Sequence, residues 1–145
     1  MISKEDLRFN CCENTLVRIN QMKTLPDFSL NVMRIASAFG GGIGSSGSAC
    51  GAVSGAAMAL GLIYGTNGDE TSDIFSDKRG KLKEKTKEFI SAFNSEFNEI
   101  NCIELLGVDY RTDEGLKKYR ELSGKGVFRC KDYVKWAANW IIENT

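Results

Sequence analysis

A glycine-rich loop that runs without a break into an apolar helix limits what this chain can become. Residues Gly40-Gly41-Gly42-Ile43-Gly44-Ser45-Ser46-Gly47-Ser48 lead into Ala49-Cys50-Gly51-Ala52-Val53-Ser54-Gly55, and the apolar run continues to Tyr64. Gly51 and Gly55 lie one turn apart, with Ala52, Ala56 and Ala59 beside them, a surface that lets other helices come close. As a helix the run would span roughly 24 Å, against a hydrocarbon core of about 30 Å. It also lacks flanking basic or aromatic anchors, so it reads as a buried central helix rather than a membrane span.

The rest of the pattern is all-α. There is one proline, and strand-like alternation is scarce. Asn10 followed by Glu13 is a capping-box arrangement that opens a helix running to about Lys23. Pro26 ends it, and Asp27 is placed to cap the next, whose face is Val32, Ile35, Ala36 and Phe39. Ser48 is the natural cap of the central helix, which ends near Gly65. Residues 66–76 read as a polar loop. Leu82, Phe89, Phe93 and Phe97 then stripe an amphipathic helix over residues 77–98. Asn101 and Glu104 form a second capping box before a short turn of helix closed by Gly107. A weak helix over 112–122 and a final one with Val134, Ala137, Ala138 and Ile141 inward complete the pattern. The expectation is a single compact domain over residues 1–145, a bundle of about five to six helices around the Gly/Ala-rich one. The basic residues between Lys78 and Lys87 interleave with Asp77, Glu84 and Glu88, which makes a solvated outer face.

Five cysteines and no histidine confine the chemistry. Ser-His triads, Cys-His dyads and zinc–histidine sites are all excluded. Nineteen basic and nineteen acidic residues cancel, so no global field argues for nucleic acid or a membrane surface. The first nine residues carry no apolar signal core, which leads to an expected cytoplasmic location where thiols stay reduced. The glycine loop lacks Gly-Lys-Ser/Thr, and no strand precedes it, so neither Walker A nor a Rossmann turn applies. Backbone N–H groups at Gly42, Gly44 and Gly51 could still cradle an anion or cofactor. The competing reading of those glycines is a tight reversal between closely packed helices.

Four of the cysteines share a position. Cys11 follows the cap Asn10, Cys102 follows the cap Asn101, Cys50 lies two residues after Ser48, and Cys130 stands where the last helix should begin. Each is thereby expected in the first turn of its own helix, where the dipole and nearby donors favour thiolate. Arg129 and Lys131 would favour the Cys130 thiolate, whereas Glu13 and Glu104 would oppose those of Cys11 and Cys102. Cys12 reads as a small hydrophobe, with a vicinal disulfide to Cys11 as the alternative.

The run from Cys50 to Gly65 resembles the redox-active proteins of the C_GCAxxG_C_C family. The likeness extends to Phe39-Gly40-Gly41-Gly42-Ile43-Gly44, to Asn10-Cys11, to Cys102-x-x-Leu105-Leu106-Gly107 and to Cys130-x-x-Tyr133-Val134. The family's Gly-Cys-Ala reads Cys50-Gly51-Ala52 here. By that resemblance the family's four characteristic cysteines fall on Cys11, Cys50, Cys102 and Cys130, and Cys12 stands where a small residue is usual.

Three functions remain open on sequence. The first is a thiol oxidoreductase in which a low-pKa Cys50 attacks and another cysteine resolves, with three pairings available and no cofactor required. Its partner would be a redox protein or a small molecule. The second is a Cys₄ site for zinc or an iron–sulfur cluster built from Cys11, Cys50, Cys102 and Cys130, although no Cys-x-x-Cys pair supplies two ligands from one turn. The third is a helical interaction module with buried cysteines. Self-association is compatible with each.

Overall fold

The computed structural model describes residues 4–145. It contains α1 (Cys11–Met22), α2 (Leu30–Ala36) continued by a 3₁₀ turn (Ser37–Phe39), α3 (Gly51–Tyr64), α4 (Ser72–Phe97), α5 (Cys102–Leu106), α6 (Asp113–Gly124) and α7 (Cys130–Asn144). Helices α1, α3 and α7 pack against one another, and α4 closes on α3 and α7. Among the described residues there is no strand, and no helix is long and apolar enough to cross a membrane.

Helix α3 is central because it is thin. Gly51, Ala52, Val53, Gly55, Ala56, Ala59 and Leu60 are all buried. At Gly51 a Cβ would lie 2.7 Å from Cys11 Cβ and 2.7 Å from the Cys12 backbone nitrogen. At Gly55 it would lie 2.8 Å from the Cys12 carbonyl oxygen and 2.9 Å from Thr15 Cβ. The two glycines are therefore the contact at which α1 meets α3. Buried Thr15 needs a partner at this depth, and its Oγ1 donates to the Cys11 carbonyl at 2.7 Å.

The aromatic stripe of α4 packs on α7 as expected. Phe93 lies edge-on to Trp136 at 5.6 Å between ring centroids, and Phe97 edge-on to Tyr133 at 4.8 Å. Val134, Ala137, Ala138 and Ile141 are buried. The basic run stays at the surface, where Lys78 pairs with Glu70 at 3.5 Å and Lys81 sits over the Tyr64 ring.

The capping box at α1 forms in full: the Glu13 N–H donates to Asn10 Oδ1 at 2.9 Å, and the Asn10 N–H donates to Glu13 Oε1 at 2.8 Å. Asn10 Nδ2 also donates to the Ser37 carbonyl at 3.2 Å, tying the start of α1 to the 3₁₀ turn. Asn10→Ala should therefore lower stability by about 1 kcal/mol, read as a fall in the urea midpoint without a change in slope.

Other caps differ from the sequence expectation. Ser29 rather than Asp27 precedes α2, and Ile35 is 61% exposed while Met33 and Ala36 turn inward. Helix α4 begins at Ser72, five positions before the first expected helical residue. Asn101 makes no side-chain cap; Glu99 Oε1 instead accepts the Ile100 and Asn101 N–H groups at 2.8 and 3.0 Å. Cys50, not Ser48, is the N-cap of α3. Ser48 cannot serve because Ala49 and Asn101 form an antiparallel bridge, in which the Cys50 N–H donates to the Ile100 carbonyl and the Cys102 N–H to the Ser48 carbonyl, both at 2.7 Å.

Candidate functional site

That bridge sets the starts of α3 and α5 side by side, which no helical periodicity could reveal. The close contact at Gly51 adds the start of α1, and packing of α7 on α1 adds the fourth. Cys11, Cys102 and Cys130 are the first residues of α1, α5 and α7, and Cys50 is the cap of α3. All four sulfur-bearing residues line one cavity of about 20 Å³, walled also by Gly41, Gly51, Leu105, Leu106 and Tyr133. A space of that size holds about one water molecule. All five cysteines are free thiols.

The thiols are far from equivalent. Cys11 and Cys130 line the same cavity, and the influence of each on the other is the largest acting on it: Cys11 is pushed well above the ordinary thiol range, and Cys130 is drawn below it. The Cys130 N–H at the start of α7 adds to the lowering. Arg129 is turned away from the sulfur. Its guanidinium lies over the Phe97 ring at 5.5 Å, and its Nε pairs with Asp132 at 3.3 Å; Lys131 is exposed. The flanking cations expected to activate Cys130 are thus replaced by a second thiol.

Cys50 departs furthest from expectation. It is 5% exposed, and burial pushes its thiol up to about 12, outweighing the Ala52 and Val53 N–H groups and reinforced by Cys102 and Cys130. N–H groups at a helix start lower a thiol pKa and desolvation raises it, and here desolvation is the larger effect. Burial thus raises the Cys50 thiol where its place at the start of α3 was expected to lower it. Cys102 is raised by burial, against which the Tyr110 hydroxyl works, and Glu104 opposes its ionisation as expected. Cys12 is fully buried beside Met58, with 3.6 Å between sulfurs, and burial pushes it up to about 11. Glu13 acts on Cys12 rather than on Cys11.

The glycine loop turns back on itself. The Gly44 N–H donates to the Ala38 carbonyl at 2.9 Å, and the Ser48 N–H to the Gly42 carbonyl at 2.9 Å. Gly42 has a φ of +69° and rests against the Ser48 backbone. Gly51 faces Cys11 in the same manner. Close packing accounts for Gly42 and Gly51; at Gly44 a Cβ would meet nothing within 4 Å and the φ of +58° is what favours glycine, while its N–H, given to Ala38, is not available to an anion.

Sequence reasoning overlooked Tyr110 and Tyr119. Tyr110 lies in the connection from α5 to α6, and its hydroxyl reaches both the Gly41 carbonyl and Cys102 Sγ. Tyr119 on α6 feels Cys130, Cys102 and Cys11. Tyr133 was within reach of sequence, since Cys130 and Tyr133 stand three apart on one helix and share a face.

Four thiolates are a natural set for zinc or an iron–sulfur cluster. Among the described residues, however, no group of three or more His, Cys, Asp or Glu side chains is arranged to hold a metal ion. A one-water cavity also has no room for a [4Fe–4S] cluster. The arrangement does not fit those groups. A wider groove lies elsewhere, about 500 Å³ on α4, bordered by Arg79, Leu82, Lys83 and Ile90. Its lining has no cysteine and no carboxylate.

A family model described as "Putative redox-active protein (C_GCAxxG_C_C)" matches residues 9–144. No curated protein and no solved structure matches the chain.

Proposed function

The chain belongs to the C_GCAxxG_C_C family, and on that premise we propose that it is a dithiol–disulfide oxidoreductase whose attacking sulfur is Cys130 and whose resolving sulfur is Cys11. The observation that carries this reading is the convergence of Cys11 and Cys130 on one cavity, where Cys130 is the thiol drawn below the ordinary range. Attack needs a thiolate at neutral pH, and a neighbouring S–H donor supplies one without a histidine.

The substrate class is a disulfide, on a partner protein or a small molecule. Cys130 S⁻ attacks one substrate sulfur, a mixed disulfide forms, and the other substrate sulfur leaves as thiolate. Cys11 then gives up its proton and attacks Cys130 Sγ. The Cys11–Cys130 disulfide forms, and the second substrate sulfur leaves. The protein has lost two electrons, the substrate has gained them, and the protons pass to the product thiols. Cys130 and Cys11 are each partly exposed, which suits attack by and on an external sulfur. A reducing compartment such as the cytoplasm would return the pair to its dithiol form.

The test is equilibration of the purified protein with glutathione buffers of graded potential, followed by alkylation and peptide mapping. The expected result is a reversible Cys11–Cys130 disulfide as the first to form. A first disulfide elsewhere would overturn the assignment. So would stoichiometric iron or zinc, bound by these sulfurs after anaerobic purification.

A further inference from the structure

We propose that Tyr110 is the positioning residue of a second working thiol, Cys102, and couples that thiol to the glycine loop through one hydroxyl proton. The inference deepens the thiol reading and rests on it for the purpose of the site, though not for its test.

The geometry is a choice between two acceptors. Tyr110 Oη lies 3.3 Å from Cys102 Sγ and is also hydrogen-bonded to the Gly41 carbonyl. A phenol has one proton to donate. While Cys102 is a thiol, the hydroxyl donates to Gly41, and its lone pairs are free to accept the Cys102 S–H. Once Cys102 is a thiolate it is the stronger acceptor, since hydrogen bonds to ionised groups are roughly twice as strong as neutral ones. The hydroxyl then turns to sulfur and releases the loop carbonyl.

The ring is held in place for this. Tyr119 meets Tyr110 edge-on at 5.4 Å between centroids and stacks on Phe128 at 5.3 Å, so α6 and the approach to α7 brace the phenol from behind. Gly41 walls the same cavity as the sulfurs and has a φ of +60°, the left-handed region that favours glycine.

No other donor does this work. The groups that face Cys102 are Cys130 from α7, Cys50 from α3, Cys11 from α1, Tyr119 from α6 and Glu104 on its own helix. None of them is a cation. The backbone N–H of Cys102 is already spent on the Ser48 carbonyl. Tyr110 is therefore the group that lets Cys102 carry charge and join the exchange after Cys11 and Cys130.

The test is Tyr110→Phe, which keeps the ring and its aromatic neighbours and removes the proton. Alkylation rates of Cys102 and Cys130 are read in the same digest across pH. The Cys102 profile should move to higher pH, with its rate at mildly alkaline pH falling about tenfold, the equivalent of one pKa unit. Its high-pH plateau and the Cys130 profile should stay unchanged. Fluorotyrosine in place of Tyr110, a stronger donor of nearly the same size, should move the Cys102 profile the other way. An unchanged Cys102 profile in both variants, or a common loss of plateau at every thiol, would overturn the proposal. Failure of the Cys130 assignment would show separately, as slow Cys130 alkylation in the unmodified protein.

Discussion

Cys130→Ser is expected to abolish the fast alkylation seen at neutral pH and the reversible disulfide together. An ordinary thiol with a pKa of about 8.5 is only a few per cent thiolate at neutral pH. Every other cysteine in this chain is raised above the ordinary range by burial or by its neighbours. Cys11 loses its largest upward influence with Cys130 but keeps its burial and its Cys50 and Cys102 neighbours, so the remaining thiols should react at least about tenfold more slowly near neutrality.

The partner variant gives an asymmetric result that assigns the roles. Cys11→Ser puts a weaker neighbour beside Cys130, and its midpoint then moves up toward the ordinary thiol value. The sign follows from which form the bond favours. A donated S–H stabilises the Cys130 anion, so its loss delays ionisation to higher pH. Cys11→Ser should thus leave a reactive Cys130 that alkylates fully in alkaline buffer but slowly at neutral pH, and should form no internal disulfide. Alkylation profiles of the two variants check this. If Cys11→Ser instead removes the fast phase while Cys130→Ser leaves it, the roles are reversed.

Why the sequence placed the four cysteines at helix starts but not the burial that separates their acidities is a matter of range. Caps are local: Asn10 and Glu13 lie three residues apart, so the start of α1 and the place of Cys11 in its first turn are written in four letters. The start of α7 at Cys130 was legible in the same way, after the Gly124-Lys125-Gly126 break. Burial is not local. Cys50 looked activated because its cap position and glycine loop are visible in sequence, while the wall that dries it comes from α1, α5 and α7. The Ala49–Asn101 bridge joins segments about a third of the chain apart through backbone groups alone, and it displaced the expected Ser48 cap. Arg129 was placed correctly along the chain, but its side chain went to the faces of Phe97 and Tyr133. Cation–π contacts of that kind compete with sulfur for the guanidinium, and sequence adjacency does not decide the winner.

The second large effect is expected at Gly51, where stability and chemistry meet. Gly51→Ala would set a methyl group 2.7 Å from Cys11 Cβ and 2.7 Å from the Cys12 nitrogen. Neither atom is the free end of a flexible side chain, so α1 must back away from α3. Overpacking of this kind costs about 1–3 kcal/mol, more than the helix propensity gained in exchanging glycine for alanine, which is up to about 1 kcal/mol. The net change is a loss of stability, read as a fall in Tm of several degrees. Gly61→Ala is the control from the same helix. A Cβ there meets nothing within 4 Å, so only the propensity term acts and Tm should rise slightly. The displacement at Gly51 also carries Cys11 away from Cys130, because Cys11 is the residue the new methyl group strikes. Gly51→Ala should therefore copy the alkylation profile of Cys11→Ser with all five cysteines present. A destabilised Gly51→Ala with an unshifted Cys130 profile would mean that the helix contact and the thiol pair are independent, and that the glycine serves packing alone.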